Sequence, residues 1–266
     1  MAAAGGPPGM GPARQRRDYV IAILSPAKNM RPAGLKGLAL TQPALLERTK
    51  QLLPPLQAME PWELESKLKI NPQLAMKAFA DFQEFGAPGG ESAALLSYHG
   101  LAYQNLDAQS LSSEEFAFAG EHIRILSAFY GVLRPGDAIK PYRLEFQCKF
   151  QPGGKSLYHF WGDSIYRELY SSRDAVVNLA SKEYSKAVSA FLRPGDRFIT
   201  CDFLTFRRGK LITLAALAKM ARGRMARYLI DHRIQEPEGL RGFSWDGYQF
   251  SPALSDESNF RFVQNS

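Results

Sequence analysis

One stretch constrains the fold more than any other: Tyr19-Val20-Ile21-Ala22-Ile23-Leu24, apolar at all six positions and closed by Ser25-Pro26. Unbroken apolarity with β-branched and aromatic members reads as a buried strand. A loop containing Pro32 and Gly34 follows, then helical patterns over residues 43–53, 62–68 and 72–85. Proline opens the first and third of these, where its missing N–H costs nothing. The glycine cluster at 86–90 stops the third. Beyond it short strands and helices alternate: strands over 93–98, 122–126 and 174–179, a capped helix over 112–120 and a helix over 156–170. Residues 197–206 and 210–216 read as two strands joined by Arg207-Arg208-Gly209, and a helix follows from about 216 to 233. No repeat of 20–50 residues and no long linker interrupts this order. The expectation is a single mixed α/β domain, of the α+β class, over residues 18–266.

That domain has chain enough for a sizeable core, since 266 residues with 45% apolar and 22% charged are ordinary globular values. Cys148 and Cys201 are the only cysteines. Neither a disulfide framework nor a CxxC metal cage can form from them, and a reducing cytoplasm is the expected location. No run of eighteen apolar residues occurs, so no membrane span is expected. Residues 1–17, MAAAGGPPGMGPARQRR, lack hydrophobic periodicity and read as a flexible basic tail. The net charge of +7 is unevenly placed. The tail holds three arginines and no acid, and residues 182–233 carry twelve basic residues against four acids. Positive charge gathered in this way suits a surface that meets a polyanion, and equally a solvated face tuned for solubility.

Five clusters could carry chemistry. Leu24-Ser25-Pro26-Ala27-Lys28 sets a hydroxyl and an ammonium just past a buried strand, where open α/β sheets bind ligands. Lys28 can meet a phosphate there, although a plain turn has the same sequence. In the last helix, about 100° per residue brings Lys219, Arg222, Gly223 and Arg227 into one arc of roughly 140°. Leu217, Ala221, Met225, Tyr228 and Leu229 occupy the opposite, core-facing arc. Gly223 in the basic arc marks a close backbone approach, by a ligand or by another element. Asn178, Ser181, Lys182, Glu183 and Tyr184 directly follow a strand, with Ser181 placed to cap a helix. Arg143, Glu145 and Asp163 form either an ion-pair cluster or the polar floor of a cleft. Lastly, two short helices around Asn71-Pro72 carry Lys67, Lys69 and Lys77 in the manner of a helix-hairpin-helix, which grips phosphates through backbone N–H groups. The usual hairpin glycines are missing, and an ordinary αα-hairpin fits the same residues. GxxxxGK[ST], GxGxxG, GxSxG and HExxH patterns are absent and the four histidines are scattered, so no metal and no cofactor are expected.

Taken in order, LSPAK at 24–28, HIRILSAFYGVLRPGDAIKPYRLE at 122–145, FWGD at 160–163, VVNLASKEYSKAV at 176–188, KMARGRMARYLI at 219–230 and DGYQF at 246–250 resemble the YaaA family of bacterial peroxide-stress proteins. The resemblance runs over about residues 19–262. It implies a single mixed α/β domain with a basic cleft and an embedded helix-hairpin-helix. It also implies DNA binding, protection from hydrogen peroxide and restraint of intracellular free iron. By position it makes Lys28, Arg143, Lys182, Lys219, Arg222 and Arg227 cleft candidates, with Lys67, Lys69 and Lys77 in the hairpin. Where the family pattern has Tyr-x-Gly-Leu this chain has Tyr103-Gln104-Asn105-Leu106, and asparagine tolerates the positive φ a glycine would take.

The leading expectation is a cytoplasmic protein that binds the DNA backbone with little base specificity, through about five or more phosphate contacts. The rival is an enzyme acting on a nucleotide or nucleobase at a glycosidic or phosphoryl centre. Glu145, Asp163, Ser181 and Glu183 would then supply the catalytic groups, with Lys28 or Arg222 as anion partner. A basic scaffold for a protein partner is the third reading. An open groove favours the first and a closed pocket with converging carboxylates the second.

Overall fold

A computed structural model of the chain describes residues 19–33, 39–171 and 175–264, so the tail over 1–17 lies outside the described residues. The order begins β1 (Val20–Leu24), β2 (Asn29–Met30), α1 (Leu46–Gln57), α2 (Pro61–Leu68), α3 (Pro72–Gln83), β3 (Ser92–Ala93), α4 (Ala94–Ser97), β4 (Tyr98–His99) and α5 (Leu101–Leu106). It continues with α6 (Ser113–His122), β5 (Ile123–Ser127), β6 (Gly131–Leu133), β7 (Ala138–Ile139), α7 (Leu157–Trp161), α8 (Ser164–Leu169), β8 (Ala175–Asn178) and α9 (Lys182–Ser189). The last part is β9 (Phe198–Arg207), β10 (Lys210–Ile212), α10 (Ala215–Asp231), β11 (Ser244–Trp245), β12 (Tyr248–Phe250) and β13 (Asn259–Gln264).

All five residues of β1 are buried, because the strand is paired on both edges and covered on both faces. Among the described residues nine strands form one sheet in the order β11-β12-β13-β9-β8-β1-β5-β6, with β10 on β9. Its centre is parallel: Ala22 faces Val177 of β8 on one side and Ile123 of β5 on the other. Strands β9 and β13 continue the parallel run beyond β8. Antiparallel strands finish both edges, β6 on β5 and β12 then β11 beyond β13. From β1 the chain re-enters the sheet as β5, and from β8 it re-enters on the opposite side as β9. The loops leaving β1 and β8 therefore part at the carboxyl edge, where a parallel sheet leaves a crevice.

Helices α2 and α3 make an αα-hairpin. Lys69 ends α2 at φ 55°, and Asn71 caps α3 by accepting the Leu74 N–H at 2.9 Å. A lysine in that left-handed position carries about 1–2 kcal/mol that glycine would avoid. Residues 93–98, expected as one strand, divide into β3, the single turn α4 and β4. Helix α4 is buried throughout, so a short apolar run could not distinguish it from a strand. The helix expected over 156–170 breaks at Gly162, which turns to φ 52° between α7 and α8. Among the described residues no helix is long and apolar enough to cross a membrane.

Candidate functional site

The crevice is built by two loops tied to each other. The Ser181 N–H donates to Ser25 Oγ at 2.8 Å, and Ser25 Oγ donates to Ser181 Oγ at 3.3 Å. The Leu179 N–H reaches Ile23 O at 3.0 Å, and the Tyr103 hydroxyl donates to Ser25 O at 2.9 Å. Buried Asn178 holds the turn by accepting the Ala180 N–H at 2.9 Å. What remains open is a cleft of about 320 Å³. Its polar wall is formed by Ser25, Lys28, Glu145, Glu183, Lys219 and Arg222, and its apolar wall includes Leu24, Leu101, Leu179 and Tyr184. A second cleft of about 240 Å³ shares Lys28, Asn29 and His99 with the first and adds Arg31, Lys77, Asp81 and Arg143.

Glu145 lines the first cleft and pairs with two cations of the second. Lys28 Nζ lies 2.8 Å from one of its oxygens and Arg143 2.9 Å from the other. The Glu145 and Arg143 side chains are mostly buried at 21% and 15% exposure, whereas Lys28 keeps 66% and can swing to an incoming anion. Glu183 accepts the Gln147 N–H at 3.1 Å, and its carbonyl accepts the Tyr158 hydroxyl at 2.8 Å. Burial, reinforced by Tyr142, Glu183 and Glu145, pushes the Tyr184 hydroxyl far above its ordinary pKa, so it faces the cleft as a neutral group.

Arg222 differs from the other cations. It is half-buried, and its Nε is enclosed with no hydrogen-bond partner among the described residues. Burial lowers its pKa against the opposing pull of Asp202 and Cys201. A guanidinium remains protonated under such pressure. A cation held partly out of water with an unsatisfied donor gains most from an anion placed beside it.

The structure therefore brings Lys28, Arg143, Glu145, Ser181, Glu183, Lys219 and Arg222 to one place, with Lys77 at the second cleft. Lys77 also pairs with Asp81 at 2.7 Å. Other candidates stand apart. Asp163 pairs with Arg167 at 2.8 Å and lines neither cleft. Lys182 is exposed outside the lining, and Lys67 and Lys69 are exposed on the αα-hairpin. Arg227 binds Asp231 at 2.6 Å, Asp107 O at 3.2 Å and Ser110 Oγ at 2.5 Å, which ties α10 to the segment after α5.

The single basic stripe expected on α10 is corrected by a second packing partner. Helix α5 crosses α10 at Gly223, where an added Cβ would stand 2.0 Å from Ala102 O. That glycine admits a helix, and Gly223 is buried as a result. Asn105, in the expected glycine position, is helical with no positive φ; it donates to Leu101 O at 2.8 Å and accepts the Arg224 Nε–H at 3.2 Å. Arg31, His99 and Tyr103 line the clefts without any signal in the sequence around them. Tyr103 meets Ser25 from 78 positions away, a contact with no local signature. Among the described residues, no three His, Cys, Asp or Glu side chains gather as a metal site.

The model of one protein family, described as "Peroxide stress protein YaaA", matches residues 20–254. A UPF0246 protein of Clostridioides difficile (strain 630) is 37% identical over 246 residues, which is 92% of this chain and 100% of the relative. One from Ligilactobacillus salivarius (strain UCC118) is 38% identical over 244 residues, 91% of this chain and 99% of its own length. One from Alteromonas mediterranea is 38% identical over 256 residues, 92% and 98% respectively. With a match that takes in the parallel centre of the sheet and both loops of the cleft, the chain belongs to the YaaA family of peroxide stress proteins.

Proposed function

We propose that the protein serves the oxidative stress response by binding DNA through its phosphate backbone, along the two adjoining clefts. Membership of a peroxide stress family supports the role in that response. The observation that carries the binding mode is the lining: Lys28, Arg31, Lys77, Arg143, Lys219 and Arg222 against Glu145, Glu183 and Asp81. The excess of cations is continuous, since Lys28 belongs to both clefts. Phosphate contacts of this kind release counterions and read no bases. Protection of DNA and restraint of free iron are the cellular outcomes this reading takes from the family. The test is a salt titration with duplex DNA. Log affinity should fall linearly with log salt at about −0.9 per phosphate contact, alike for scrambled sequences. A flat salt dependence, or a strong preference for one sequence, refutes the backbone clamp.

A second reading rests on the first cleft alone. Its volume of about 320 Å³ lies in the range of small-ligand pockets. Glu145, Glu183, Ser181 and Arg222 all reach it. A nucleotide or nucleobase would fit there, with Arg222 and Lys219 on a phosphate and Glu183 as the base. Thermal shift with nucleoside monophosphates separates the readings: stabilisation by a mononucleotide that Arg222→Ala abolishes favours the enzyme.

A further inference from the structure

Strand β9 outgrows its neighbour. Val176 to Asn178 lie beside Phe198 to Thr200, after which β9 continues for seven residues to Arg207. At about 3.3 Å per residue the extension reaches roughly 23 Å past the end of β8. It leaves from the carboxyl edge of the sheet, the edge that carries Ser25 and Ser181. Strand β13 accompanies it as far as the Gln264–Thr205 pair. The tip is then a two-stranded ribbon of β9 and β10, turned by Arg208 at φ 49° and Gly209 at φ 76°. Helix α10 starts three residues after β10 ends, and its first three turns hold Lys219 and Arg222 in the cleft wall. Arm, helix and cleft wall are thus one continuous run of chain.

What the arm exposes points to its ligand. Leu211 lies directly across from Phe206, and the two are 37% and 56% exposed. Arg207 and Lys210 form the next pair, on the opposite face of the ribbon, and Arg208 stands in its turn; all three are exposed and form no ion pair among the described residues. From 203 to 230 the chain has seven lysines and arginines and no acid. A bare ring on one face of a narrow ribbon, with uncompensated cations at its turn and on its other face, matches a nucleic-acid strand with unpaired bases: a base stacks on the ring and the backbone on either side of it reaches round to the cations. A duplex offers the phosphates, but its bases are already stacked on one another. We propose that the β9–β10 arm is a second nucleic-acid site, in which Phe206 stacks on an unpaired base of a strand whose backbone lies along the cleft. This rests on the backbone-binding reading above.

The full-length chain, titrated by fluorescence anisotropy with single-stranded and duplex oligonucleotides of equal length, tests it. With one stacked base lost, Phe206→Ala should weaken single-strand binding about tenfold. Duplex binding should stay within about twofold, the melting temperature should not move since the ring is exposed, and Phe206→Trp should restore affinity. Phe206→Ala binding single strands like the parent, while Lys219→Ala binds them weakly, overturns the arm and leaves the cleft reading standing. Equal losses on both oligonucleotides, unrescued by tryptophan, overturn it too, as does capture of anionic vesicles in place of DNA that Phe206→Ala abolishes. A parent protein that binds neither oligonucleotide overturns the arm and the cleft reading together.

Discussion

Arg222 and Arg227 sit five residues apart on one helix, yet their surroundings give them opposite roles. Arg227 donates to a carboxylate, a carbonyl and a hydroxyl. Hydrogen bonds from charged groups contribute about 1.5–3 kcal/mol each at most, so Arg227→Ala should lower the melting temperature measurably while leaving the salt slope of DNA binding unchanged. Arg222 has an enclosed donor with no partner among the described residues. Arg222→Ala should leave the melt near that of the parent and remove about one phosphate contact from the slope. A melt lowered by Arg222→Ala, with binding intact, would make Arg222 the structural residue. The cysteines allow a second test at this scale. Burial raises the thiol pKa at both Cys148 and Cys201, and Asp202 adds to the rise at Cys201. The thiolate is the form that attacks peroxide. Native protein at neutral pH should therefore resist Ellman's reagent and release both thiols only in denaturant. Rapid reaction of either in the native fold would reopen a thiol route to peroxide defence.

At the scale of elements, the contact between α5 and α10 decides more than helix propensity does. Replacing a helical glycine by alanine ordinarily gains about 1 kcal/mol. At Gly223 the new Cβ would meet the Ala102 carbonyl oxygen at 2.0 Å, and backbone cannot step aside as a side chain can. Overpacking of that kind costs about 1–3 kcal/mol, so Gly223→Ala should destabilise the protein in urea despite the propensity gain. A stabilised variant would mean the helices part easily. Element positions were legible wherever local chemistry marked them: the proline and asparagine around 71–72, the Ser112–Glu115 capping box, and the continuous apolarity of 20–24. Two of the failures share one cause. Residues 93–98 and the face of α10 are set by what packs against them, which periodicity does not report.

For the molecule as a whole, the last segment completes the sheet. Tyr248, Phe260 and Phe262 are fully buried, and Phe203 packs against Tyr248, Phe243 and Phe262. Loss of a buried phenylalanine costs about 3–5 kcal/mol, against a total stability of about 5–15 kcal/mol. A chain ending at residue 243 should therefore show no cooperative melt and aggregate on gel filtration; a sharp transition at the parent temperature would show that the core closes without β11, β12 and β13. The amino-acid sequence by itself determined the alternation of strands and helices, the loops at 25–28 and 178–184, and the concentration of positive charge after residue 182, because each depends on neighbours a few positions away. Only the tertiary structure decided which charged groups meet. Lys28, Glu145, Glu183 and Arg222 come from four distant parts of the chain. They converge because the connections from β1 and β8 leave on opposite sides of the sheet. Crossing direction is settled by how the strands pair, and residue spacing carries no record of it.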